Sequence, residues 1–332
     1  MQESLSIIIP VHNAENFLDV CLESVNKISL KDLEILLIVN ASTDSSLDKC
    51  QAWAKKDSKF KIICTETPGV SNARNIGLKN SNSDYITFID ADDYIDSEAF
   101  VDNFTKCREA NADISFSAYY RVENGKTQII HLPLESKIFT KTEISSEIIQ
   151  QKIAPNINFM GVVWRSFFKK NILQGIEFNQ ELAYHEDVNF IIRASLKAYT
   201  AIIISKPYYY YRINCKSASG NKKVNNSENR KKFLKHLEDI AKETHLNLDF
   251  ALAQRKADIL IISYKEISHA SEGLINKIRR MYGLHSAIPA SEISYWEPDS
   301  FGKTMAIYMK LMKKNLRLFA LLFLFIRFFI FK

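Results

Sequence analysis

Four apolar, β-prone runs in the first 90 residues, separated by segments of helical spacing, constrain this chain more than any other feature. Ser4 to Val11, Leu33 to Val39, Phe60 to Cys64 and Tyr85 to Ile89 read as strands. Between them, Ala14 to Val25 places Phe17, Leu18, Cys21, Leu22 and Val25 on one helical face, and further helices are expected through Trp53 and over Val70 to Lys79. Strands this uniformly apolar, alternating with helices, imply a largely parallel sheet covered on both faces. Ligands of such sheets bind at the carboxyl ends of strands, so Pro10, Asn40 and Asp90 are expected around one crevice.

Further along, Ile114 to Arg121 and Lys126 to Leu132 read as strands, Trp164 to Lys170 as mixed, and Glu186 to Ala198 as a helix. Ile202 to Arg212 reads as a closing strand with four consecutive tyrosines, half-buried by its pattern. From Asn214 to about Glu228 the composition shifts to Ser, Asn, Lys and Gly, as in a loop or hinge. Amphipathic helices are expected between about Asn229 and Arg280, and Gly283 to Gly302, with Pro289 and Pro298, reads as irregular connection. The expected division is an α/β domain over 1–215, a helical module over 216–305, and a basic, apolar tail over 306–332.

With 332 residues, 46% of them hydrophobic and 25% charged, the chain can bury a sizeable α/β core plus an appended module. Its five cysteines, Cys21, Cys50, Cys64, Cys107 and Cys215, are scattered and form no Cys-x-x-Cys pair. A disulfide framework and a thiolate zinc site are therefore not expected, and a reducing cytosol fits. The first residues lack signal-peptide character, which adds to the expectation of a cytoplasmic protein.

The net charge is +6, and its placement matters more than its size. The cluster Lys222, Lys223, Arg230, Lys231, Lys232 and Lys235 reads as a solvated helix face; without a nucleic-acid-binding motif, nucleic acid is not an expected partner. A second cluster, Lys310, Lys313, Lys314 and Arg317, leads into Leu318 to Phe331, apolar throughout except for Arg327. A bilayer span takes about 20 apolar residues, more than this segment has. Two readings stand: peripheral insertion at the anionic cytoplasmic face of a membrane, or packing on the protein's own core or in an oligomer.

The chemistry is concentrated at Tyr85 to Asp93, where a strand delivers Asp90, Asp92 and Asp93 within four residues. Carboxylates so close repel, and a divalent cation with hard-oxygen preference relieves the repulsion. Alternatively, Asp92 or Asp93 caps the helix beginning near Ser97. Glu186 and Asp187 form a second acidic pair at a helix start, a position that also favours negative charge on its own account. His185 precedes them with no partner at metal-ligand spacing and is expected as a pocket wall.

Five ordered segments resemble the family 2 glycosyltransferases. They are Ser6-Ile7-Ile8-Ile9-Pro10-Val11-His12-Asn13-Ala14-Glu15, Asn40-Ala41-Ser42-Thr43-Asp44, Gly69-Val70-Ser71-Asn72-Ala73-Arg74-Asn75-Ile76-Gly77, the Asp90 to Asp93 cluster, and His185-Glu186-Asp187. The resemblance covers about residues 4 to 215 and implies a GT-A nucleotide-diphospho-sugar transferase fold, a Rossmann-like mixed sheet flanked by helices, followed here by a C-terminal helical module. It implies an inverting, metal-dependent transferase that moves a sugar from a nucleotide-sugar donor, UDP-linked, to a glycan or glycolipid acceptor of the cell envelope.

By the same resemblance Pro10, Val11, His12, Asn40 and Thr67 line the nucleotide pocket. His12 stands where the family more often has tyrosine, Asn40 where it has aspartate, and Ala41 where it has glycine. An Asn carbonyl can still accept a hydrogen bond from the base, without charge assistance. Arg74 is implied near the base or phosphates, Asp90 and Ala91 at the ribose, and Asp92 with Asp90 on Mn²⁺ or Mg²⁺, leaving Asp93 in support. Asp187 matches the family's general base, with Glu186 beside it, and Arg212, followed by Ser217 and Ser219, is implied at the diphosphate. The rival reading is a non-catalytic nucleotide-sugar-binding module of the same fold.

Overall fold

The computed structural model describes residues 3–149, 161–213, 226–296 and 303–327. Asn214, Cys215, Ser217, Ser219, Lys222, Lys223, Pro298, Gly302 and Phe331, all singled out above, lie outside the described residues. The chain divides into two compact units, one formed by Met1–Ile149, Asn158–Glu181 and Glu186–Ser217, the other by Gln150–Ile157, Leu182–His185 and Ala218–Lys332.

The first unit is built on the four runs that the sequence marks out. β1 (Leu5–Val11), β2 (Leu33–Asn40), β3 (Phe60–Thr65) and β4 (Tyr85–Phe88) pair in parallel in the order β3-β2-β1-β4. Their register sets Val11 beside Val39 and Ile8 beside Phe88, so the polar residues that follow each strand emerge along one edge. β1 and β2 are buried almost throughout, which accounts for their continuous apolar runs.

The sheet continues through β5 (Tyr94–Ile95), β6 (Ile114–Glu123), β7 (Lys126–Ile130), β8 (Ile138–Thr140), β9 (Phe168–Lys169) and β10 (Thr200–Arg212). Its full path is β3-β2-β1-β4-β9-β6-β10-β5, with β7 on β6 and β8 on β10. β9 runs antiparallel to both β4 and β6 and joins the parallel set β3-β2-β1-β4 to the parallel pair β6-β10, on which β5, β7 and β8 lie antiparallel, so the sheet is mixed, as the GT-A resemblance implies. Trp164 to Lys170 is thus mostly irregular, with a two-residue strand near its end.

Helices α1 (Leu18–Asn26), α2 (Ser46–Lys56), α3 (Val70–Asn80), α4 (Ser97–Glu109) and α5 (Glu186–Lys197) flank the sheet. α1 starts four residues later than its apolar spacing suggests, because Ala14 to Phe17 forms a turn closed by the Phe17 N–H on the Ala14 carbonyl. α3 begins after Gly69, whose φ of 119° few side-chain-bearing residues adopt. The cap of α4 is Asp96, which accepts from the Ala99 N–H at 2.9 Å, so the capping role considered for Asp92 or Asp93 belongs to neither.

In β10 successive tyrosines face opposite sides, as the period of a strand requires. Tyr208 meets Phe100 and Phe167, Tyr209 stacks on Trp164 at 4.1 Å between centroids, and Tyr210 stacks between Tyr94 and Tyr120. The run is more buried than half, since Tyr208 and Tyr209 are fully enclosed.

The second unit is helical in its described residues: α6 (Ser227–Thr244), α7 (Asp249–His269), α8 (Leu274–Ser286), α9 (Ala290–Ser294), α10 (Lys303–Lys313) and α11 (Arg317–Phe325). Their shared core joins Ala257, Tyr264, Met281, Trp296, Tyr308, Met312 and Leu324. Part of Gly283 to Gly302 is therefore ordered rather than irregular. Gly283 sits inside α8, and Pro289 precedes α9, where its fixed φ suits a helix start.

Candidate active site

Two acidic groups separated by nearly 100 residues meet on one guanidinium. Asp90 follows β4, Glu186 and Asp187 open α5, and Arg74 projects from α3. Arg74 Nη2 donates to Asp90 Oδ1 at 3.0 Å, and Nη1 donates to Asp187 Oδ1 at 2.6 Å and to Glu186 Oε1 at 3.4 Å. The Arg74 side chain is 4% exposed, so these are bonds in a largely desolvated setting. Arg74, implied near base or phosphates by resemblance, thus lies among carboxylates.

The environment of Asp187 is unusual for an aspartate. Burial pushes its carboxyl upward; Arg74 pulls against that, while Glu186 and Asp90 reinforce it. The outcome is a carboxyl raised well above the ordinary range, the direction that suits a proton acceptor working near neutrality. Its second oxygen faces the Val163 N–H at 3.4 Å. Close packing fixes this corner, since a Cβ on Gly161 would come within 2.2 Å of Val188 Cγ2, next in sequence to Asp187.

The acidic cluster after β4 is tied to the far end of β10. Tyr209 Oη donates to Asp93 Oδ2 at 2.8 Å and accepts from the Asp90 N–H at 3.1 Å. The Arg212 N–H donates to Asp93 Oδ1 at 2.7 Å, and Arg212 Nε to the Asp92 carbonyl at 2.5 Å. Asp93 is buried, and desolvation, followed by Asp90 and Asp92, raises its carboxyl. Ala91 is buried between these acids, while Asp90 and Asp92 are only partly covered. The Arg212 guanidinium lies over the rings of Phe17 and Tyr94, and its buried Nη2 has no hydrogen-bond partner among the described residues.

A third group surrounds the end of β2. Asn40 is 3% exposed and spends Nδ2 on the Gly69 carbonyl at 2.8 Å, while its Oδ1 has no partner among the described residues. An unmet buried acceptor is costly, about 1–3 kcal/mol, unless a ligand supplies a donor. His12 Nδ1 lies 2.7 Å from the Asn40 carbonyl, which holds the exposed imidazole beside it. Ala41 has φ 46°, a left-handed conformation that explains why glycine suits this position. Pro10 is half-buried, Val11 is buried with its carbonyl accepting from Ser42 Oγ, and Thr67 is exposed.

His185 belongs to the second unit. Arg255 Nη1 lies 3.2 Å from its Nε2, Tyr184 and Phe233 flank the ring, and burial lowers its pKa well below the usual value. The partly buried imidazole packs on these side chains within the helical unit.

Sequence reasoning did not find the roles of Tyr209, Val163 and Gly161. The tyrosine run was visible, but the pairing of one hydroxyl with an acid 116 positions away was not.

The donor set at Asp90 and Asp92 suits a hard cation. Among the described residues no group of three or more His, Cys, Asp or Glu side chains is arranged to hold a metal. Mg²⁺ and similar ions at nucleotide sites are commonly held by one or two carboxylates with substrate phosphates completing the shell, and two carboxylates fit that habit.

The mixed α/β sheet, with acids and an unmet acceptor beyond its parallel strands, has the GT-A fold. The chain belongs to glycosyl transferase family 2, whose family model matches residues 6–173. Glu186 and Asp187 lie beyond that match. The chain is 28% identical over 213 residues to EpsJ of Bacillus subtilis, an uncharacterised glycosyltransferase, covering 63% of this chain and 61% of EpsJ. It is 32% identical over 211 residues to a poly(ribitol-phosphate) beta-glucosyltransferase of Bacillus spizizenii, covering 62% of this chain and 32% of that protein. The match thus spans under two thirds of either relative. The crystal structure of Staphylococcus aureus TarS 1-349 in complex with UDP-GlcNAc shares the fold, with a TM-score of 0.65 and 20% identity over 98% of this chain and 91% of that one.

Proposed function

We propose that this protein is an inverting glycosyltransferase that takes a sugar from a UDP-linked hexose or N-acetylhexosamine and places it on a hydroxyl of a cell-envelope glycan or glycolipid. The observation that carries the reading is the bridge of Arg74 between Asp90 and Asp187, which gathers a nucleotide-side acid and a base candidate into one site.

The roles follow from chemistry. Asn40 Oδ1, with its amide nitrogen already engaged, accepts from a base that presents a ring N–H; uracil does so at N3 and guanine at N1, whereas adenine and cytosine have no hydrogen on the corresponding ring nitrogen, and the family resemblance favours uracil of these two. His12 and Pro10 border the base, Asp90 meets the ribose, and Arg212 is set to meet the diphosphate through its unpartnered Nη2. Asp92, with Asp90, would hold Mn²⁺ or Mg²⁺, which when bound supplies Lewis-acid neutralisation of the leaving diphosphate.

Asp187 accepts the proton of the acceptor hydroxyl as that oxygen attacks the anomeric carbon from the face opposite the nucleotide. Its raised pKa strengthens it as a base, and Arg74 fixes one of its oxygens. Glu186 supports the same guanidinium. The acceptor assignment leans on the poly(ribitol-phosphate) transferase relative and on the tail, which we assign to peripheral contact with the cytoplasmic face of a membrane. Among the described residues no helix is long and apolar enough to cross one.

The experiment is a donor screen for nucleoside diphosphate release with Mn²⁺, with Mg²⁺ and with chelator. UDP release from at least one UDP-sugar, lost with chelator, is expected; no release from any donor under any condition leaves the binding-module reading in its place.

A further inference from the structure

The tail does not stand alone. α11 turns Ala320 and Leu324 into the core of the helical unit, where both are fully enclosed, and leaves Leu318, Phe319 and Leu322 exposed on its other side. Leu318 is 73% exposed. α8 has the same arrangement, with Met281 and His285 buried and Ile275, Ile278 and Tyr282 exposed, Ile275 at 74%. The two helices touch, and Arg317 Nη2 at the start of α11 donates to the Ile288 carbonyl just beyond α8 at 2.9 Å. Such apolar stripes on neighbouring helices are more than the scattered exposed hydrophobics of an ordinary surface.

Charge identifies the occupant. α8 carries Lys277, Arg279 and Arg280 and no acid. Residues 303–327 carry Lys303, Lys310, Lys313, Lys314, Arg317 and Arg327, again with no Asp or Glu. A second copy of this chain docking through a two-fold axis would bring the same cations against themselves. An anionic bilayer accepts both components, since apolar side chains enter the acyl boundary while Lys and Arg remain at the headgroups.

We propose that α8 and α11 together form the membrane-docking surface, with α8 a second contact beside the tail helix. The proposal rests on the peripheral-contact reading above and adds α8 to it. Because Ala320 and Leu324 belong to the core, removing the tail would disturb the fold itself, and substitutions of exposed residues are the suitable probe.

The full chain is floated with vesicles of phosphatidylcholine alone or mixed with phosphatidylglycerol, at low and high salt, with circular dichroism melting as the folding control. Binding is expected only to the mixed vesicles and to fall at least fivefold in high salt. Ile275→Ser with Ile278→Ser, and separately Phe319→Ser with Leu322→Ser, should each lower vesicle binding about tenfold without changing UDP binding or the melt. Lys313→Glu with Lys314→Glu, at two exposed positions, should lower it similarly. If only the α11 substitutions act, the two-helix surface is wrong and the tail reading stands. If the wild type floats with neither vesicle while still binding UDP, the peripheral-contact reading fails as well. A wild-type dimer that the serine variants convert to monomer, with vesicle binding unaltered, would assign the surface to a second copy.

Discussion

Both units of this chain are built on apolar cores, and they differ in what surrounds those cores. In the sheet unit the candidate site depends on polar cross-links between distant segments: Arg74 to Asp90, Glu186 and Asp187, and Tyr209 with Arg212 to the acids after β4. In the helical unit the described core is chiefly apolar and aromatic, with Tyr264, Trp296, Tyr308, Met312 and Leu324 at its centre. The first arrangement fixes charges where a substrate needs them and makes stability depend on protonation. The second leaves apolar side chains of α8 and α11 exposed.

The sharpest test of that contrast compares Arg74→Ala with Leu324→Ala. Removing Arg74 leaves three carboxylates uncompensated and should cost about 3–5 kcal/mol at neutral pH. The deficit should shrink on acidification, because Asp187, whose carboxyl burial already raises, takes up its proton more readily without Arg74 and the repulsion at this corner is relieved. Leu324→Ala should cost about 2–5 kcal/mol with little pH dependence. Denaturant melts of both variants from pH 5 to 8 check this, and parallel pH profiles would contradict it.

Next in size is Gly161→Ala. Its methyl would press on Val188 and shift the start of α5. A displacement of about 1 Å at the base can reduce turnover as much as 100-fold. The expected signature is a fall in kcat with UDP affinity kept, measured by UDP release and by calorimetry.

The smallest effect is expected at Ala41. Ala41→Gly relieves the left-handed φ, a gain of about 1–2 kcal/mol, offset by about 0.4–1 kcal/mol of added unfolded-state freedom. A modest rise in Tm with unchanged activity would place Ala41 as a tolerated strain; a loss of UDP affinity would give its methyl a part in the pocket.

How far the sequence could be read follows the same division. The parallel strands and the helices between them were legible because burial on both faces writes itself as unbroken apolar runs. Asp90, Asp92, Glu186, Asp187, Asn40 and Arg74 were legible as a set through residue type and order, with roles implied by resemblance. Their partners were not: the contact between Arg74 and Asp187 spans 113 positions and depends on how β4, α3 and α5 pack. In the helical unit Gly283 and Pro289 suggested irregular chain, yet tertiary packing of Met281 and Ile293 keeps helices around both. The tail shows the limit of a one-dimensional reading, since α11 buries Ala320 and Leu324 in the core while Leu318, Phe319 and Leu322 stay exposed.

The central claim is that Asp187 is the base of a sugar-transfer site, and Asp187→Asn tests it most directly. Asparagine keeps the shape and an acceptor for Arg74 but cannot take the acceptor hydroxyl's proton. Sugar transfer by wild type and variant is followed across pH 5 to 9 with the best UDP-sugar, alongside UDP binding. The wild-type rate should rise with pH along a limb displaced above the ordinary aspartate range near about 4, because below a raised pKa the carboxyl retains its proton. The variant should bind UDP normally and lose about 100- to 10,000-fold in rate, with that limb gone. A variant that transfers sugar at the wild-type rate with the same pH limb would contradict the account.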